Sequence, residues 1–334
     1  MSRALVIQTA WLGDVILTSP LLQKAAAVHD RVDVVTTPAA KPLVETHPAV
    51  DRVFTFDKRG TQKGARGLIR AARQLRLNGY DTAYLPHRSV RSALLAWLAR
   101  IPERIGFGDT AARWLYTETK QREGASEIER LARLVPGPDT PPLRIWLAEA
   151  DRLAATRELE AAGIEDPFVV IAPGSARATK RWPYFRELAM TLASRIAVVA
   201  VGETSDRLFH RTQPRTTFPL ADLCGRLTIR ESAAVIERAA VAVVNDSAPM
   251  HLAAALGTPV VAVFGPTHPC LGFAPQGEEH RFVQLDLPCR PCSLHGGDRC
   301  PLGHHRCMRD LSVEDVLSAV EAALEIALQE ERTP

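Results

Sequence analysis

Cysteine and aromatic residues are scarce in this chain: six of its 334 residues are cysteine and 6% are aromatic. So few thiols in so long a chain exclude the dense disulfide framework of a small secreted scaffold. A secretory signal is also missing, because the apolar run after Arg3 is interrupted by Gly13 and Asp14 and no small-residue cleavage site follows. The N-terminal run therefore reads as a first buried strand, and the expectation is reduced thiols in a cytoplasmic protein. The long uncharged stretch from Ala248 to Thr267 contains Pro249, His251 and a Gly257-Thr258-Pro259 break, so it is no continuous transmembrane helix. It reads as helix, turn, strand. There is no internal repeat and no low-complexity tract.

Two nucleotide-binding signatures are absent as well. G-x-G-x-x-G does not follow the first strand, and the second ends VVTTPA without an acid for a ribose, which argues against an NAD enzyme. G-x-x-x-x-G-K-[ST] is missing, which excludes a P-loop.

What is present is a chain 46% hydrophobic and long enough for two cores, expected over residues 1–150 and 151–334. Both halves alternate short apolar runs with helical patterns, the signature of parallel sheets covered by helices in an α/β fold. ALVIQTA, VDVVTT and DTAYLP read as strands of the first half; FVVIAPG, IAVVAVG, VAVVND and PVVAVFG read as strands of the second. PGPDTPPLR, residues 136–144, approaches the linker, and a charged helix follows over Glu149 to Ala162. A terminal helix over residues 312–330, with Ser312 as N-cap and Asp315 three residues on, can pack on either domain.

The net charge of +3 hides an asymmetry. Residues 1–150 hold 22 Lys and Arg against 15 Asp and Glu, whereas residues 151–334 hold 19 against 23. The basic excess concentrates in KRGTQKGARGLIRAARQLR, where Lys58, Arg59, Lys63, Arg66, Arg70, Arg73 and Arg76 occur without an acid. That stretch is either a solvated helix face or a face for phosphates. It holds no aromatics for base stacking, so nucleic acid is not an expected partner.

Three strand-to-helix junctions can receive an anion, because a helix N-terminus offers unpaired N–H groups and a positive dipole end. In QTAWLGDVILTSP, Gly13 places Asp14 at the mouth of a parallel sheet, where the carboxylate is a helix-terminal charge or a general base. In APGSARATKRWP, Gly174, Ser175, Thr179, Lys180 and Arg181 offer hydroxyls and cations to phosphate oxygens, unless the cations face solvent. In VNDSAPMHLAAALG, Ser247 can cap the helix while the N–H groups of Ser247 and Ala248 face an anion. Asp246 and His251 then line that pocket or serve as a capping residue and a core histidine.

AWLGDVILTSPLLQ, GSARATKRWP, NDSAPMHLAAALGTPVVAVFGPT and CRPCSLHGGDRCPLGHHRCM, in this order over nearly the whole chain, resemble the ADP-heptose:lipopolysaccharide heptosyltransferases, glycosyltransferase family 9, and among them the heptosyltransferase II group. The resemblance implies a GT-B architecture, two Rossmann-like domains with parallel sheets facing across a cleft, acceptor on the N-terminal side and nucleotide sugar on the C-terminal side. It implies that the terminal helix crosses back to the first domain. It also implies an inverting, metal-independent transfer of heptose from ADP-L-glycero-D-manno-heptose to the lipid A-linked inner core, second heptose first among the choices. No cofactor is implied, and the enzyme would touch the inner face of the inner membrane from the cytoplasm. By resemblance Asp14 is the base, with Gly13, Lys58, Arg59, Lys63 and Arg66 on the acceptor side. Ser175, Thr179, Lys180, Asp246, Ser247, Ala248 and His251 hold the donor, and Asp222 lies near the ribose. Ala248-Pro249 stands where many members carry Gly-Leu. Alternatives are a family transferase with another sugar or acceptor, and a nucleotide-sugar epimerase of the same fold.

Cys289, Cys292, Cys300 and Cys307 have the ligand count of a Cys₄ metal site, with His295, His304 and His305 as substitutes. The stretch follows the last strand of the nucleotide half. It is a structural metal site or a set of reduced thiols that pack a loop, and in either case a brace outside the reaction centre.

Overall fold

A computed structural model describes residues 2–209 and 216–330. The chain forms two units that divide between Trp146 and Leu147. The division falls just before the expected boundary at 150 and leaves the helix Glu149–Ala161 whole within the second unit.

In the first unit the strands are β1 (Arg3–Ile7), β2 (Arg31–Thr36), β3 (Arg52–Thr55), β4 (Thr82–Leu85), β5 (Glu103–Phe107) and β6 (Glu118–Lys120). They pair in the order β3-β2-β1-β4-β5-β6, every pair parallel. The second unit has β7 (Phe168–Ala172), β8 (Ala197–Ala200), β9 (Leu220–Asp222), β10 (Val241–Asn245), β11 (Val260–Val263) and β12 (Arg281–Val283). Their order, β12-β11-β10-β7-β8-β9, is again wholly parallel and repeats the first arrangement. Both sheets are Rossmann-type, and in each the order reverses between two central neighbours: β1 and β4, then β7 and β10. Loops leaving the carboxyl ends of such a pair diverge, which opens a crevice where open α/β sheets bind ligands.

Each central strand is buried along its length because helices cover both faces, which is why these strands read as unbroken apolar runs. In the first unit Leu5, Ile7, Val35 and Leu85 pack with Leu68, Leu75, Ala93 and Leu95 from the helices Gly64–Arg76 and Val90–Leu98. Ile171, Val243, Val261 and Val263 of the second sheet pack with Leu188, Leu192, Met308, Val316 and Val320.

The approach to the second unit is fastened to the first. Gln23 Nε2 donates to Pro142 O at 3.0 Å, and the His47 ring meets Trp146 edge-on at 4.2 Å between centroids. The terminal helix Val313–Glu330 starts as its sequence indicates. Asp315 accepts from the Ser312 backbone N–H at 3.1 Å, and the Ser312 hydroxyl accepts from Asp315 N–H at 3.2 Å. Of the two places open to this helix, its fully buried Val316 and Val320 lie against β10, β11 and β12 of the second sheet. No helix among the described residues is long and apolar enough to cross a membrane.

Candidate active site

The crevice end of the second sheet is stitched by buried polar side chains. Asn245, at the end of β10, donates through Nδ2 to Pro173 O at 2.8 Å and accepts from Trp182 N–H at 3.1 Å, so one amide joins both loops that follow β7. Ser247 donates to Gly174 O at 3.1 Å instead of capping the helix Ala248–Leu256, contrary to the expected cap. The helix N-terminus at Ser247 and Ala248 thus carries no side-chain cap, the condition under which its N–H groups can receive an anion.

Lys180 sits in this crevice, not in solvent. Its Nζ is 2.6 Å from Asp246 Oδ2, with the two side chains 12% and 6% exposed, and Thr267 Oγ1 donates to the same carboxylate oxygen at 2.6 Å. A pair so shielded from water has a strong mutual hold but a large desolvation cost, so loss of one partner leaves an uncompensated charge. His251 lies beside it. Burial pushes the imidazole down to about 4, against an upward pull from Asp246 and with a downward push from Lys180, so the ring is neutral at physiological pH.

Ser175 is buried next to Gly174, and its carbonyl accepts from Arg181 Nε at 2.8 Å. Two expected donor residues are otherwise engaged. The Thr179 hydroxyl donates to Gly297 O at 2.7 Å and accepts from Gly297 N–H at 2.9 Å, so it fastens a loop and is not left for phosphate. Asp222 accepts from the N–H groups of Leu208 at 2.9 Å, Phe209 at 3.0 Å and Cys224 at 3.1 Å, which makes it the organiser of its own loop.

The acid missing from the end of β2 is present after β8. The Asp206 side chain is 7% exposed; one carboxylate oxygen accepts from Glu203 N–H at 3.0 Å, while the other has no hydrogen-bond partner and faces Arg181 at 3.6 Å. Its carboxylate lies over Gly174, where a Cβ would come within 2.4 Å of Oδ2. An acid after the second strand of a Rossmann-type sheet is placed for a ribose hydroxyl. The sequence signal for it is the run IAVVAVG followed by ETSD.

The cysteine segment is laced to this crevice as a brace. Besides the Thr179 to Gly297 exchange, His305 Nε2 bonds Thr179 O at 2.8 Å and Cys292 N–H donates to Pro266 O at 2.8 Å. Gly296, at φ +73°, brings backbone so close that a Cβ would meet Lys180 Cγ at 3.0 Å. All four cysteines are free thiols. Burial pushes Cys307 up to about 11 and raises Cys292, whereas at Cys300 the backbone N–H groups of residues 302–305 outweigh burial and lower it. Among the described residues no group of three or more His, Cys, Asp or Glu is arranged to hold a metal ion.

In the first unit Asp14 stands on a short helix, Leu12–Ile16, just past β1, and its carboxylate accepts from Trp11 N–H at 3.2 Å. Gly13 is inside that helix, its carbonyl accepting from Leu17 N–H at 3.0 Å, so the turn precedes it. The basic stretch divides. Lys58 Nζ donates to Thr9 O at 2.7 Å, and Arg59 lies over the Trp11 ring at 4.9 Å, both beside the Asp14 loop. Burial lowers the Lys58 ammonium from its usual range, helped by Arg59 and Arg91. Lys63 and Arg66 instead stand exposed at the start of the helix Gly64–Arg76. Glu127, unread in the sequence, is 5% exposed and paired with Arg122 and Arg130. Burial raises its carboxyl above the usual range, the two arginines pull it back, and Asp14 adds a smaller upward push.

Residues 68–299, more than two thirds of the chain, match the family model described as glycosyltransferase family 9 (heptosyltransferase). Lipopolysaccharide heptosyltransferase 2 of Escherichia coli strain K12 is 26% identical over 356 aligned positions, which cover 98% of this chain and 99% of that protein. Among solved structures, the glycosyl transferase family 9 from Veillonella parvula superposes with a TM-score of 0.84 at 24% identity, covering 97% of each chain. Escherichia coli ADP-heptose LPS heptosyltransferase II gives 0.78 at 24% identity over 98% of this chain and 99% of the other. These two likenesses concern the fold, which is of the GT-B class. The family match, which runs from residue 68 through the later part of the first unit and across the second sheet's crevice, carries the assignment: this chain belongs to glycosyltransferase family 9, the heptosyltransferases.

Proposed function

We propose that this protein transfers heptose from ADP-L-glycero-D-manno-heptose to the lipid A-linked inner core of lipopolysaccharide, adding the second heptose, by a single inverting displacement without a metal ion. The observation that carries the reading is the buried Lys180–Asp246 pair at the carboxyl end of β7 and β10, beside an uncapped helix N-terminus. A cation and free N–H groups at one point suit a diphosphate that gains negative charge as it leaves. The full-length relatedness to lipopolysaccharide heptosyltransferase 2 supports the sugar and the acceptor.

In this mechanism the acceptor hydroxyl oxygen attacks the anomeric carbon, the bond from that carbon to the phosphate oxygen breaks, and ADP departs with the electron pair. Asp14 takes the hydroxyl proton. Lys58 and Arg59 serve the phosphorylated acceptor beside the Asp14 loop, and Lys63 and Arg66 extend that cationic surface. Lys180, Ser175 and the N–H groups of Ser247 and Ala248 hold the diphosphate. Asp246 is the counter-ion from which the diphosphate draws Lys180, and neutral His251 supplies a hydrogen bond to the sugar or phosphate. Thr179 positions the turn through Gly297.

The ribose belongs to Asp206, with Asp222 shaping the neighbouring loop. Asp206→Asn is expected to raise the donor KM about tenfold through loss of a charge-assisted hydrogen bond, with little change in melting temperature. Asp222→Asn is expected to lower the melting temperature by a few degrees, since three backbone donors lose an ionised acceptor. Titration with ADP and with a deoxyribose analogue separates the two; an Asp206 variant that binds both like the parent removes it from the ribose site.

The function itself is tested by offering ADP-heptose with mono-heptosylated and unheptosylated lipid A cores and weighing the products. One heptose added to the mono-heptosylated core alone is the expected result. Transfer to the bare core instead makes this the first heptose. Conversion of the donor to an epimer with no acceptor present overturns transfer.

A further inference from the structure

Residues 288–292 set two cysteines three positions apart, and the fold brings their sulfurs together. C-x-x-C beside βαβ units is the spacing of a redox dithiol. Cys292 donates its S–H to Cys289 O at 3.0 Å and also hydrogen-bonds the Cys289 thiol, and both residues are half-buried. The turn that presents them is pinned. Leu287 O accepts from Arg290 N–H at 3.0 Å, and the Arg290 guanidinium donates through Nη2 to Phe264 O at 3.1 Å and to Thr267 O at 2.8 Å. That cation lies among the sulfurs: burial lowers it, and Cys307, Cys289 and Cys292 pull it back up. A guanidinium beside a thiol favours the thiolate, the nucleophile of thiol chemistry. Burial and the Cys289 sulfur raise Cys292, so Cys289 is the sulfur that attacks first and Cys292 the one that follows. A cavity of about 120 Å³ opens beside Cys292 and is also lined by Cys300, Cys307 and His305. Among the described residues no three such donors are gathered to hold a metal ion, and the close contact is between two sulfurs, the geometry of a dithiol.

The same turn reaches the donor crevice in two steps. Cys292 N–H holds Pro266 O at 2.8 Å, and the next residue, Thr267, donates to Asp246 Oδ2 at 2.6 Å, the oxygen that pairs with Lys180. We propose that Cys289 and Cys292 are a reversible redox site, oxidised to an intramolecular disulfide by a low-molecular-weight disulfide, and that this bond weakens donor binding through Pro266 and Thr267. The Cys289 thiolate attacks the small disulfide, forms a mixed disulfide and expels one small thiolate. Cys292 gives up its proton and attacks the Cys289 sulfur, and the second small thiolate leaves as the Cys289–Cys292 bond forms. Two protein thiols are oxidised and one small disulfide is reduced to two thiols. A covalent bond draws the sulfurs closer than hydrogen-bonding contact, so Cys292 leaves Cys289 O and pulls at Pro266. Thr267 then slips from Asp246, whose less satisfied carboxylate holds Lys180 more tightly against an incoming diphosphate. The effect on the donor rests on the proposed function, whereas formation of the disulfide does not.

Incubation of the full chain with glutathione disulfide, followed by dithiothreitol, tests it. After oxidation the peptide that carries both cysteines is expected to be about 2 Da lighter and closed to alkylation. The donor KM and the ADP dissociation constant rise about tenfold, the worth of one hydrogen bond to a charged group, and dithiothreitol restores both. Cys289→Ser and Cys292→Ser keep the parent values when reduced and lose the response to oxidation, while Cys300→Ser retains it; with two serine variants, one that fails to fold leaves the other to decide. A disulfide from Cys292 to Cys300 or Cys307, a pair that stays reduced, or an oxidised protein with the parent's affinities overturns the proposal. So does a stoichiometric zinc or iron ion held by these thiols in the purified protein. A chain that oxidises at this pair and loses ADP affinity yet transfers no heptose in either state keeps the redox site and loses the proposed reaction alone.

Discussion

Asp14→Asn lowers kcat by about 10²- to 10⁴-fold at neutral pH, the usual contribution of a positioned general base, while ADP affinity stays within about twofold. The asparagine side chain keeps an oxygen that can accept from Trp11 N–H, the bond Asp14 makes at 3.2 Å, so the helix Leu12–Ile16 has no reason to open. What disappears is the ability to take a proton. Steady-state transfer and ADP titration, run on the same preparation, check both halves. Transfer at the parent rate removes Asp14 from proton abstraction, and a matching loss of ADP affinity would place its role with the donor.

Lys180→Ala lowers kcat by about 10²- to 10³-fold and weakens ADP binding, because a cation is lost from the atoms where charge grows as ADP leaves. The variant also leaves Asp246 only 6% exposed without its partner, a loss of about 3–5 kcal/mol in stability. The two effects separate in the double variant Lys180→Ala with Asp246→Asn. There the buried charge is gone, so the melting temperature recovers much of its fall, but donor affinity stays low. Recovery of donor affinity along with stability would make Lys180 a counter-ion for Asp246 and nothing more.

The parts of the fold that could be read from the sequence are those whose burial leaves a one-dimensional mark. VDVVTT, FVVIAPG, VAVVND and PVVAVFG are central parallel strands covered on both faces, and their continuous apolar runs follow directly. The outer strands left no such mark. β3, β6 and β12 are three or four residues long, half exposed and mixed in polarity, so RVFT, ETK and RFV look like loop. Asp14, Lys180 and Asp246 were legible as members of strand-to-helix junctions. Their partners were not, because each partner arrives from a distant part of the chain: Asp246 for Lys180, Gly297 for Thr179, Thr9 for Lys58. Asp222 and Asp206 show the same limit from the other side. Both are acids near the end of a strand, and only the three backbone donors around Asp222 and the glycine beneath Asp206 distinguish the loop-former from the residue facing the crevice.

The terminal helix carries a consequence for how the chain is made. Val316, Val320 and Ala323 close a core that includes β10 and β11, strands translated many residues earlier. A ribosome emitting this chain releases every strand of the second sheet before the helix that covers one of its faces. The first sheet and its helices are complete by then and can fold as a unit. The second must wait with Val241, Val243, Val261 and Val263 wetted on that side until residues 313–323 emerge. Truncation ahead of Val313 should therefore leave a nascent chain half folded, with its second unit the target for chaperones and proteases.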